Sequence, residues 1–154
     1  MKYTGKLLIV DKEMPGSGRI YPKSVMEDAI KAMNEQIKEK KIYGLIEPSG
    51  LEYTNNLNSV SHTVDNLHLD ENGEVWADIE TIQTPQGRLA DVMIGLNKCA
   101  FAARGFATLD ENNPNVVKAY QIASVDLIQN SERTVPVESV KWYKRLWNWF
   151  KKLF

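Results

Sequence analysis

Between Lys23 and Lys40 the apolar residues Val25, Met26, Ala29, Ile30, Met33 and Ile37 recur every three or four positions, with Lys, Glu and Asp between them. That spacing places one apolar stripe on an α-helix, and Pro22 stands where a first helical turn tolerates a residue without an N–H. Two other stretches alternate instead. "VSHTVDNLHL" (60–69) and "EVWADIETI" (74–82) read as strands, and the "DENG" between them has the composition of a hairpin turn. In the second run Val75, Ala77, Ile79 and Thr81 share one face, while Trp76, Asp78, Glu80 and Ile82 share the other. "KLLIV" (6–10) predicts a first strand and "KIYGLIEP" (41–48) a short buried strand or strand end. Further strands are predicted at about 100–108 and 116–129, across the turn-rich "DENNPN". "TPQGRLADVMIGLNKC" predicts a second helix from near Pro85, with Leu89, Val92, Met93 and Leu96 as its buried stripe.

These elements predict an α+β fold, a small and mostly antiparallel sheet or barrel covered by two helices. Residues 1–130 form the expected domain, 131–140 ("SERTVPVESV") a linker, and 141–154 a separate C-terminal amphipathic helix. At 154 residues, 43% of them hydrophobic and 25% charged, the chain can bury a real core. No apolar run approaches the roughly 18 residues of a membrane span, and the four apolar residues before Asp11 are too few for a secretory signal.

The formal charge of -1 hides an uneven distribution. Lys141, Lys144, Arg145, Lys151 and Lys152 follow Glu138 with no acid among them, so an acidic body carries a basic tail. In "KWYKRLWNWFKKLF" (141–154), Trp142, Leu146, Trp149 and Leu153 recur at helical spacing. Tyr143, Trp147, Phe150 and Phe154 form an adjacent stripe, giving a basic, aromatic, amphipathic segment. It could complete the domain's own core, dock into a groove on a partner protein, or lie on an anionic membrane or nucleic acid.

Candidate chemistry is sparse. A single cysteine, Cys99, excludes an intrachain disulfide and a cysteine-rich zinc site. As a nucleophile it would need a base or a positive environment to become a thiolate, and beside apolar residues it reads as a small core residue. His62 and His68, the only histidines, fall on one side of a regular strand roughly 20 Å apart, which is too far to share an ion. A surface or hydrogen-bonded role is expected for both. The glycines of "PGSG" and "TPQG" lack the spacing of a phosphate-binding loop. No metal and no cofactor is expected.

The order "GRIYPKSVMEDAIKAMNEQI", "YGLIEP", "VSHTVDNLHLDENGEVWADIETIQTPQGRLADVMI", "FAARGFATL" and "AYQIASVDLI" resembles the prohead maturation proteases of tailed phages. These are serine proteases related in fold to the herpesvirus capsid assembly protease, and the resemblance spans roughly residues 17–131. It implies a catalytic histidine in a Gly-apolar-His-Pro context and a serine nucleophile in a Ser-Ser-Arg-Gly context. Here "GLIEP" places Glu47 before Pro48 where the histidine is expected, and "AARG" places Ala102 and Ala103 where the serines would be. Arg104 and Gly105 are retained. Alanine has no lone pair with which to attack a carbonyl, so the covalent route is closed at that position.

The resemblance therefore implies a vestigial site at Glu47, His62, Ala102, Ala103 and Arg104, and a non-catalytic virion protein with a structural, decoration or assembly role in the phage head. Its partners would be capsid, portal or other head proteins, or a second copy, met in the host cytoplasm during assembly. Membrane or nucleic acid are lesser candidates. The partner-binding residues would be Trp142, Tyr143, Arg145, Leu146, Trp147, Trp149, Phe150, Leu153 and Phe154. The alternative is an active head maturation protease that uses Cys99 or His62.

Overall fold

The computed structural model describes residues 1–14, 17–47, 58–96, 99–129 and 138–139. In chain order the elements are β1 (Lys2–Ile9), α1 (Lys23–Glu39), β2 (Ile42–Leu45), β3 (Val60–Leu69), β4 (Glu74–Thr81), α2 (Pro85–Gly95), β5 (Cys99–Leu109), β6 (Val117–Gln129) and β7 (Glu138–Ser139). Five strands form one sheet in the order β2-β3-β4-β1-β7, and β5 pairs with β6 in a second. Among the described residues every ladder between these strands is antiparallel, and two isolated bridges, Ile20 with Val116 and Ile46 with Leu127, are parallel. The α+β expectation holds, and the polar segment 49–58 falls almost wholly outside the described residues, as does the tail 141–154. The stretch 131–140, expected as a linker, contributes Glu138–Ser139 to the edge of the sheet against Thr4 and Tyr3.

Helix α1 forms where its periodicity predicts. Met26, Ala29, Ile30 and Met33 are buried against the sheets, and the side chain of Asp11 accepts from the Lys23 N–H at 3.1 Å, filling the cap that Pro22 cannot supply. Asn34 on the same helix performs a strand's task. Its Nδ2 donates to the Leu67 carbonyl at 2.8 Å and its Oδ1 accepts from the Leu67 N–H at 3.0 Å, pairing β3 beyond the point where β2 stops alongside it.

The register of β3 shifts between Val64 and Asn66. Before this bulge His62 and Val64 face inward, and after it Leu67 does. His62 and His68 therefore lie on opposite faces, one buried and one exposed, contrary to the regular-strand expectation that puts both on one side.

Helix α2 starts at Pro85, with Thr84 Oγ1 accepting from the Gly87 N–H at 3.0 Å. Its buried face is not the expected one. Gly87, Ala90 and Ile94 face the sheet, whereas Leu89, Val92 and Leu96 are exposed and Met93 is half-buried. Close approach is the reason: a Cβ on residue 87 would sit 1.8 Å from the Ile82 carbonyl oxygen, so the helix seats Gly87 and Ala90 there, buries Ile94 beyond them and turns Leu89, Val92 and Leu96 outward.

Candidate functional site

The segment "AARG" lies on β5, and its ladder with β6 decides which way each side chain points. Ala102 pairs with Asp126, Ala103 with Val125 and Arg104 with Ser124. Directly paired residues share a face, so Ala102 and Arg104 stand on the side of Asp126 and Ser124. Ala103 turns the other way and packs against the core with Val125. Of the two alanines, Ala102 is the one whose methyl lies on the face of a charged pair: Arg104 Nε is 3.0 Å from Asp126 Oδ2, with side chains 20% and 3% exposed.

Asp126 and Ser124 also close a seam. The Ser124 hydroxyl donates to the Tyr43 carbonyl at 2.6 Å, and Asp126 Oδ1 accepts from the Leu45 N–H at 3.0 Å and from Arg104 Nη2 at 3.3 Å. Side chains of β6 thus satisfy backbone groups of β2 on the edge that β3 does not cover. Past the seam, Ile46 bridges to Leu127, the Glu47 N–H donates to the Leu127 carbonyl at 2.8 Å, and Glu47 Oε1 accepts from the Gln129 N–H at 2.7 Å. Glu47 is exposed, with a φ of 43°, and its carboxylate is an acceptor holding the end of β6.

His62 is fully buried and reaches across Gly44 to the same strand. Its Nε2 is 2.6 Å from the Val125 carbonyl and its Nδ1 is 2.6 Å from Ser61 Oγ. A carbonyl only accepts, so Nε2 carries the hydrogen and Nδ1 accepts from the Ser61 hydroxyl. Both ring nitrogens are occupied by the fold. Burial lowers the imidazole pKa to about 4, helped by the nearby Arg104 charge and opposed by the Val125 bond.

A histidine held neutral in the folded state is penalised on acidification, because the unfolded chain takes up its proton first. Stability from this group is complete above a pH near 6.5 and falls away as the pH drops towards 4. Urea unfolding is expected to show a loss of about 2 kcal/mol from this group between pH 7 and pH 4.5. His62→Gln should flatten that part of the profile while leaving the carboxylate contributions in place.

Cys99 is 1% exposed, and burial pushes its thiol up to about 11, so little thiolate forms at neutral pH. The structure thus brings Ala102, Arg104 and Asp126 onto one face, sets Glu47 at the end of the adjoining seam, and holds Ala103 and His62 inward. Asp126, Ser124, Ser61 and Gly44 are additions to the residues the sequence singled out. The signal for two of them is present in "IASVDLI", where Ser124 and Asp126 are polar residues two apart in an apolar run. Such a pair on one face of a strand needs buried partners.

This arrangement, two helices on antiparallel sheets with an Arg-Gly segment on β5 facing β6, is a prohead-protease-like fold. Among solved structures the chain is similar to the capsid assembly protease of bacteriophage T4, gp21, with a TM-score of 0.69 and 22% identity over 84% of this chain and 81% of that one. No family model and no curated protein matches the chain.

Proposed function

We propose that the chain is a non-catalytic component of a tailed-phage head, a prohead-protease-like body that has lost its nucleophile and binds capsid, portal or other head proteins. It would act in the host cytoplasm during assembly and remain in the virion. The observation that carries the reading is Ala102: it presents a methyl on the Arg104–Asp126 face, in the segment where the resemblance implies a serine. Glu47, where a histidine is implied, is engaged by the Gln129 N–H. The neighbour of known structure is named a capsid assembly protease, which supports placing this body among head proteins. Residues 1–130 would supply that body, and 131–140, anchored to β1 through Glu138 and Ser139, would lead to the segment 141–154 as its address.

Co-expression with the cognate major capsid protein tests this. Intact mass of purified particles should show the chain bound and the capsid protein full length. Ala102→Ser is expected to leave the capsid protein uncut as well, because His62 gives Nε2–H to Val125 and takes the Ser61 hydroxyl on Nδ1, leaving no imidazole to activate a new hydroxyl. Trimming by the unaltered chain that stops on replacing Cys99 or His62 would show an active protease and overturn the proposal.

A further inference from the structure

Helix α2 leaves an apolar stripe uncovered. Leu89, Val92 and Leu96, at i, i+3 and i+7, are 45%, 56% and 63% exposed, and Met1, near Asp91 on another flank of the helix, is 69% exposed. Met1 is placed there by its own bonds: its amino group donates to Thr81 Oγ1 at 2.9 Å, and Thr81 in turn donates to Asp91 of α2 at 2.8 Å. Among the described residues, Phe106 is the one other large apolar side chain exposed to this degree. Continuous apolar stripes on soluble domains mark contact sites.

The path of the chain points to the occupant. Strand β7 runs antiparallel to β1, with Glu138 opposite Thr4 and Ser139 opposite Tyr3, so the backbone at Ser139 is heading towards Met1. The Tyr3 hydroxyl donates to Asp91 at 2.8 Å, and α2 touches β7. The next residues in the sequence are 141–154, with eight large apolar side chains and five cations in fourteen positions. As a helix that segment would be about 21 Å long, against about 16 Å for α2. A tether of one residue after Ser139 keeps the effective concentration in the millimolar range.

We propose that the outer face of α2, formed by Leu89, Val92 and Leu96, is the docking site of the chain's own segment 141–154. In the free protein the two apolar stripes cover one another, and a head protein that takes the segment must displace it from α2. The docking rests on the fold and sequence, independently of whether the body is an active or inactive protease.

The test uses the full chain carrying Trp76→Phe, so that emission comes from Trp142, Trp147 and Trp149. Docking predicts blue-shifted emission protected from acrylamide, unchanged on roughly 100-fold dilution because the contact is intramolecular. Leu89→Asp with Val92→Asp, at exposed positions that leave the core intact, should move the emission to that of solvated tryptophan without loss of circular dichroism from the body. If the double variant loses its fold, Val92→Lys alone supplies the same comparison. Solvated emission in the parent chain, or protected emission indifferent to the α2 substitutions, would overturn the proposal. Protection that disappears on dilution would overturn it in favour of a second copy. None of these outcomes depends on capsid cleavage or retention, so this inference and the functional reading fail separately.

Discussion

Gly44→Ala is expected to destabilise the fold by about 3 kcal/mol or more, a loss measured as a fall in the urea midpoint. The added Cβ would lie 1.9 Å from His62 Nε2 and 2.3 Å from the Val125 carbonyl oxygen, occupying the line of the hydrogen bond that joins β3 to β6. A flexible side-chain end could move aside, but one obstacle is backbone and the other is a ring fixed at both nitrogens. Relief therefore requires β2 to separate from β6, which also strains the Ser124 and Asp126 bonds to Tyr43 and Leu45. Combining Gly44→Ala with His62→Ala removes the ring and leaves the carbonyl, so the double variant should regain only part of the loss attributable to Gly44→Ala. Full additivity of the two changes would show that the ring and the glycine do not share this space.

Asp126→Ala is expected to be similarly severe, costing about 3–5 kcal/mol. The carboxylate is 2% exposed and receives the Leu45 N–H and two nitrogens of Arg104. Its removal leaves a guanidinium largely out of water without this counter-charge and a strand N–H without its acceptor, and both groups carry a desolvation penalty. Asp126→Asn keeps an oxygen for Leu45 and gives up the charge, so it should fall between the parent and Asp126→Ala. Chemical denaturation of the three proteins at neutral pH orders them. Equal stability of Asp126→Asn and Asp126→Ala would assign the whole effect to the ion pair.

The fold was legible where one physical demand dominated a segment. Met26, Ala29, Ile30 and Met33 answer only to helix burial, and β4 answers to alternation after the "DENG" turn, so pattern and structure agree there, whereas in β3 the bulge breaks the alternation. On α2 two demands competed. Counting large apolar residues selects Leu89, Val92 and Leu96, but the backbone at Ile82 leaves no room for a side chain at Gly87, and the face this contact sets inward carries Ala90 and Ile94 instead.

The site was legible as a set of substitutions, Glu47 and the two alanines, because residue identity is written in the sequence. Its geometry was not, since the choice between Ala102 and Ala103 depends on the register of β5 against β6, and the capture of His62 depends on contacts 63 positions apart. For Asp126 the sequence shows a polar residue in an apolar run but not its partners, since Arg104 is 22 positions away and Leu45 is 81.

The bulge at Asp65 gives β3 two reading frames. Upstream of it the even-numbered residues His62 and Val64 face the core, and downstream Leu67 takes the inward place. If Asp65 were drawn into regular pairing at unchanged length, the two frames would merge, and either His62 would be expelled from between Gly44 and Val125 or His68 drawn inside. The turn at 110–116, between β5 and β6, has no such double burden. Loss of the one extra residue at Asp65 is therefore the single length change that β3 absorbs with both frames still facing the core, whereas a residue lost elsewhere in the strand turns one half inside out.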